Sequence, residues 1–144
     1  MSTISPPQTV PMLARIERDE CTALLAATSV GRIVVPSGGA APLIRPVAYA
    51  FDEATQTIVF RSGDGSKLAS LRSADRVTFE IDGFDPIDRV GWSVIVIGPV
   101  EEITGVAEHA RAERIGVPPW VTGRFAHLLR IRPTVVSGRR IARG

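Results

Sequence analysis

The stretch GWSVIVIGPVEEI, from Gly91 to Ile103, narrows the fold more than any other part of the chain. Its valines and isoleucines are β-branched, which costs them freedom in a helix and suits them to a pleated, half-buried surface. Gly98 and Pro99 interrupt the run, and a proline cannot donate to a strand ladder, so the pattern predicts a strand with a bulge or bend of the kind that curls a sheet into a barrel. Ile33–Val35, Leu43–Phe51, Ile58–Phe60, Arg76–Asp82, Phe125–Ile131 and Thr134–Ile141 read as further strands. Asp19–Thr28 and Val106–Ile115 read as helices. Many short strands with a few short helices predict a mostly β, α+β chain: an antiparallel barrel closed at its ends by helices.

Within that outline several residues carry a specific expectation. Cys21, Leu24 and Leu25 share one helical face, which makes Cys21 a small core residue, and Gly31 is expected to end that helix. SGGAAP before Leu43 reads as a hairpin turn. Pro46, flanked by Arg45 and Val47 inside a strand, implies an edge or a bulge. Backbone groups left unpaired there are free to bond a ligand, although an edge proline placed against mispairing accounts for the same pattern.

A chain of 144 residues with 44% hydrophobic content builds one core. We divide it into a flexible arm over 1–12, rich in Ser, Pro and Thr, and one domain over 13–144. A net charge of +2 argues against a nucleic-acid-binding polycation, and no apolar run is long enough for a membrane span. The single cysteine cannot close an internal disulfide and no leader-like apolar stretch is visible, so the expected compartment is the cytoplasm.

The stretch IVFRSGDGSKLASL, from Ile58 to Leu71, reads as strand, glycine turn and helix start. Ser66 stands where a helix N-cap would be, ahead of Leu68, Ala69 and Leu71. Free N–H groups in a first helical turn attract anions. Arg61 and Lys67 add two cations, and Ser62 and Ser66 add hydroxyl donors. Lys67 is the only lysine among 17 basic residues, in a chain that otherwise uses arginine. These residues fit a phosphate site, and they fit equally an ordinary strand-turn-helix connection with solvated charges; they match neither a Walker loop nor a dinucleotide fingerprint. Asp82, Asp85 and Asp88 lack the spacing of a calcium loop and are read as an acidic connection, with no metal site expected. His109 is read as solvated on a polar helix, and His127 as a neutral strand histidine without an identifiable acid partner.

Taken in order, PVAYAF, IVFRSGDGSKLASL, VTFEID, GWSVIVIGPVEEI and RIRPTVVSGRRI resemble the pyridoxamine 5'-phosphate oxidase-like, FMN-binding split-barrel proteins, over about Leu13 to Ile141. The resemblance implies a homodimer of six-stranded split barrels with two FMN sites at the subunit interface. By that analogy Arg61, Ser62, Ser66 and Lys67 match positions that hold the FMN phosphate, while Arg45, Pro46 and Val47 lie in the strand beside the isoalloxazine ring. Trp92 and Ser93 match positions reaching the flavin from the partner chain, and Ile131–Pro133 match a segment that closes over the ring. The implied activity is a flavin-dependent oxidoreduction of a small organic substrate, with the cofactor performing the chemistry. A deazaflavin in place of FMN, a flavin-binding or sensing protein without turnover, and a dimeric interaction module are the alternatives. The late basic and histidine set with which the oxidase holds its substrate phosphate is not placed in this chain, so no substrate follows.

Overall fold

The computed structural model describes residues 11–118 and 127–143. Its elements run β1 (Pro11–Ile16), α1 (Arg18–Ala27), β2 (Val30–Val35), β3 (Leu43–Asp52), β4 (Thr57–Ser62), α2 (Ser66–Ser73) and β5 (Val77–Asp85). They continue as β6 (Val90–Gly98), β7 (Val100–Glu102), α3 (Val106–Arg114), β8 (His127–Ile131) and β9 (Val135–Arg143). The nine strands pair antiparallel in the order β1-β9-β6-β5-β2-β3-β4-β8-β7. No helix among the described residues is long and apolar enough to cross a membrane.

The predicted interruption of the long apolar run divides it into β6 and β7. A Cβ on Gly98 would lie 2.0 Å from the carbonyl oxygen of Arg132, so only glycine lets the β8–β9 connection approach there. The Arg132 N–H donates to the Pro99 carbonyl and the Thr134 N–H to the Ile97 carbonyl, at 3.0 and 2.8 Å. Both long segments therefore bend at one place. Before the bend β6 pairs with β9, and after it β7 pairs with β8.

Strand alternation explains the two apolar clusters. Ile58 and Phe60 of β4 point into the main core with Ile33, Phe79, Val94, Val96 and Leu129, which α1 caps with Cys21 and Leu25 and α2 with Leu68 and Leu71. Full burial of a leucine side chain stabilises by about 1.5 to 3 kcal/mol, so the two leucines are what holds α2 to the sheet. The Tyr49 ring meets Phe79 edge-on at 4.9 Å, and its hydroxyl donates to the Leu25 carbonyl at 2.7 Å, joining β3 to α1. Val59, one residue out of phase with Phe60, joins Ile103, Ala112, Val117 and Leu128 in a second cluster under α3.

Several expectations change. The first ten residues of the expected arm lie outside the described residues, and Pro11 and Met12 belong to β1, paired along β9. β1 carries no alternating apolar pattern, and only its partner strand makes it a strand. Phe125, at the start of an expected strand, also lies outside the described residues. Gly31 does not end α1, whose C-cap is Thr28. It sits inside β2, where a Cβ would come 2.3 Å from the Phe79 ring and 2.8 Å from the Glu80 carbonyl. A glycine that admits an aromatic ring reads in sequence like one that stops a helix. Gly31→Ala should therefore cost about 1 to 3 kcal/mol by overpacking, read as a lower urea midpoint with an unchanged m-value.

Candidate functional site

The register between β3 and β4 begins at Tyr49 opposite Phe60 and runs to Asp52 opposite Thr57. Residues 43–48 of β3 pair with β2 alone. Pro46, opposite Arg32 of β2, thus lies in a half-strand with one neighbour, where its missing N–H breaks no second ladder. The strands part at the point where β4 leads through Ser62 into the turn Gly63-Asp64-Gly65 and then α2. Arg45, Pro46 and Val47 line one side of that opening, with Arg45 and Pro46 exposed and Val47 buried.

Gly65, and not Ser66, is the N-cap of α2, and Ser66 is the first helical residue. Gly65 has φ +133°, a conformation that side chains disfavour, and a Cβ there would meet nothing within 4 Å. No side chain caps the helix, and its first intrahelical bond is Ala69 N–H to the Gly65 carbonyl. The earlier N–H groups of that turn have no acceptor within the helix. Ser66 is exposed beside them, while Ser62 is buried with its hydroxyl donating to the Gly63 carbonyl at 3.1 Å.

Lys67 is half-buried, its Nζ 5.8 Å from the centroid of the Phe60 ring. Burial draws its pKa below the ordinary lysine value, and the nearby Arg45 guanidinium draws it further down. No carboxylate among the described residues offsets this pair. Among the described residues the guanidinium of Arg45 donates only to the carbonyl of its own neighbour Ile44, at 2.9 Å. Two unneutralised cations beside an uncapped helix start suit an anion by charge and by donor count.

Arg61 is placed differently from the other expected phosphate ligands. It follows Phe60 on β4 and points to the α3 side, where Nη2 lies 2.7 Å from Glu113 Oε1. Its Nε is buried without a hydrogen-bond partner. The structure thus brings Arg45, Ser66 and Lys67 to one end of α2 and sends the Arg61 guanidinium to the opposite face of β4.

Trp92 and Ser93 lie on β6, remote in register from α2 within one chain. The Trp92 ring lies across Gly83 of β5, where a Cβ would sit 2.6 Å from the indole nitrogen. Two cavities of about 490 and 250 Å³ share Gly83, Phe84, Gly91, Trp92 and Ile141, and neither is lined by Arg45 or Lys67. Phe84 and Ile87, at 66% and 86% exposure, project from this hairpin. Asp85 accepts the N–H groups of Ile87 and Asp88 at 2.9 and 3.2 Å, while Asp82 pairs with Arg32. These aspartates shape the hairpin turn and the sheet face, and no cluster of metal-binding side chains occurs among the described residues.

His109 is exposed on α3 as expected, whereas His127 departs from its expected role. His109 Nε2 lies 2.7 Å from the Ile103 carbonyl, so the ring is anchored to the chain. His127 is flanked by acids: Nε2 is 2.7 Å from Asp64 Oδ1 and Nδ1 is 2.7 Å from Glu102 Oε1. Hydrogen bonds to Asp64 and then Glu102 raise its pKa. Burial pushes Glu102 up, but bonds from Arg72 and His127 outweigh it and leave the carboxyl below its usual value. Sequence spacing could not reveal this group, because β8 pairs with both β4 and β7 and brings together residues distant along the chain.

The model of the pyridoxamine 5'-phosphate oxidase family matches residues 17–140. An uncharacterized protein of Mycobacterium tuberculosis is 34% identical over 138 residues, covering 94% of this chain and 90% of that protein. The solved structure of the FAD binding protein from Mycobacterium smegmatis is 33% identical with TM-score 0.73, covering 88% of this chain and 98% of that one. A FAD-binding protein from Mesorhizobium loti is 27% identical with TM-score 0.75, covering 90% and 98% of the two chains.

Glu80, on β5 between Arg32 and Asp82, supplies a pH test of this region. Burial and then Asp82 push its carboxyl up to about 7, against the partial relief of Arg32. A raised carboxyl pKa means the folded state holds a proton that the unfolded chain has lost, so stability falls as pH rises from about 4.5 to about 7. Glu80→Gln should remove that loss: its unfolding free energy by urea titration should exceed the wild type's at pH 8 by roughly 1 to 2 kcal/mol, and converge with it near pH 4.5.

Proposed function

The chain belongs to the pyridoxamine 5'-phosphate oxidase family, and on that premise we propose that it is a homodimeric, flavin-binding oxidoreductase acting on a small organic substrate. The observation that carries the reading is the half-buried Lys67, left beside Arg45 at the uncapped start of α2 with no acidic partner among the described residues. Like charges held together in a partly desolvated place are unfavourable until an anion neutralises them. A flavin phosphate is such an anion, and its ring would extend toward the opening between β3 and β4.

The pairing supports a six-stranded split barrel. With β6 and β7 as one bent strand and β8 and β9 as another, the order β2-β3-β4-β8/β9-β6/β7-β5 returns to β2. β1 is then an added strand on β9. A second copy supports the remaining site residues: Trp92 and Ser93 would reach the flavin of the partner chain, and the half-exposed Ile44, Ile95 and Val135 would be covered. Light scattering should give about twice the 15.4 kDa chain mass.

Where the flavin is FMN, its phosphate would be held by Lys67, Arg45, Ser66 and the first N–H groups of α2, and the backbone at Pro46 and Val47 would border the ring. The binding proteins of M. smegmatis and M. loti support FAD as well, whose diphosphate suits the same donors. A bound flavin would supply hydride or single-electron transfer. This chain supplies affinity, orientation and an apolar wall, and no side chain is assigned an acid or base role.

Mass spectrometry of the small molecule released on denaturation should return FMN or FAD, and a colourless protein that binds no flavin would overturn the reading. Lys67→Ala should weaken FMN roughly ten- to a hundredfold, the worth of one charge-assisted hydrogen bond, and leave riboflavin nearly unchanged. Arg45→Ala should act in the same direction. Arg61→Ala should cost FMN less than either, because Glu113 already holds that guanidinium.

A further inference from the structure

We propose that His127 is a positioning residue of this anion site, holding the Asp64 carboxylate away from the start of α2 so that an incoming phosphate meets Lys67, Arg45 and the helix N–H groups without a competing charge. The inference rests on the flavin reading above.

Asp64 lies between the two glycines of the turn, one residue before the N-cap, and its side chain is 60% exposed. A free carboxylate there would compete for the helix start with any phosphate. Its only side-chain partner among the described residues is His127 Nε2. His127 reaches it from β8, opposite Ser62, the last residue of β4. The other ring nitrogen faces Glu102 of β7, and Arg72 of α2 donates to both Glu102 oxygens at 3.2 Å. The chain Asp64–His127–Glu102–Arg72 thus runs from the turn, through β8 and β7, back to the far end of α2.

Only an imidazolium can donate to both carboxylates; a neutral ring keeps one N–H. When His127 loses its proton only one of these bonds persists; Glu102 stays fixed by Arg72, whereas Asp64, 60% exposed and with no second side-chain partner among the described residues, is the one released. The sign follows: His127 is stabilised in its charged form, so the clamp is complete at low pH and opens as pH rises through its raised pKa. The carboxylate then stands free at the helix start.

The test compares FMN and riboflavin affinities of the full chain from pH 5 to 9, for wild type, His127→Gln, Asp64→Asn and the double variant. The phosphate of FMN has its own ionisation near pH ~6, which is common to all four proteins and cancels in their ratios. At pH 6 His127→Gln should weaken FMN roughly three- to tenfold, the scale of one added negative charge near a partly solvated anion. Adding Asp64→Asn should restore it. Asp64→Asn alone should bind FMN at least as tightly as wild type, with the largest advantage above the His127 titration, and riboflavin should respond to none of these changes. A turn that His127 merely braces predicts the opposite: Asp64→Asn would weaken FMN, and the double variant would be worse than either single one. That result, or flavin binding indifferent to all three variants, overturns the proposal and leaves the flavin site standing. Failure of the wild type to bind either flavin at any pH overturns both.

Discussion

The approach of the Arg132 carbonyl to Gly98 is the contact on which the arrangement of strands depends. Side chains elsewhere tolerate small shifts, but a backbone oxygen 2.0 Å from where a Cβ would stand tolerates no side chain at all. Because β6 and β9 bend together there, the same two segments of chain serve two neighbourhoods. On one side of the bend they pair with each other next to β5, and on the other β8 fits between β4 and β7. The position of β8 in turn sets what stands beside the Gly63-Asp64-Gly65 turn. The turn and its neighbouring charges are thus arranged from a bend that contains none of them.

Charge is sorted with the same economy. Among the described residues, Asp52 holds Arg111, Glu101 holds Arg130 and Arg132, Glu113 holds Arg61, and Glu102 holds Arg72 and His127. Most of these pairs are partly exposed, so individually each contributes little to stability. Their joint effect is on availability: Glu102 and Asp64 near α2 have His127 or Arg72 as partners, whereas Lys67 has no acid among the described residues. Arginine suits the first task because its planar fork fits a carboxylate and stays charged. The single lysine, a compact charge whose Nζ stands over the Phe60 ring, suits a position where the partner arrives from outside.

The outline of the fold was legible because it rests on local rules. β-Branched runs, turn glycines and the 3.6-residue spacing of α1 and α3 place most elements within a residue or two, and the Gly98-Pro99 interruption announces the bend. Pro46 also reads correctly, as a residue of a strand half that has one neighbour. β1 was invisible because its strand character comes from β9, and Gly31 was misread because the reason for it is the Phe79 ring on another strand. The site divides along the same line. The placement of Ser66 and Lys67 follows from the order strand, turn, helix, but Arg45 comes beside Lys67 only where β3 parts from β4, and the Arg61 guanidinium turns toward α3 through an odd-even alternation that a strand end leaves ambiguous in sequence.

The sequence by itself determined a mostly β chain with short helices, a bend in its longest apolar run, and a cation-bearing turn that suits a phosphate. The tertiary structure alone decided which charges remain free at that turn. Propensity and periodicity act over a few residues, whereas the partners of Asp64, Arg61 and His127 come from strands and helices far along the chain. Electrostatic pairing depends on distance in space, and only the folded sheet sets those distances.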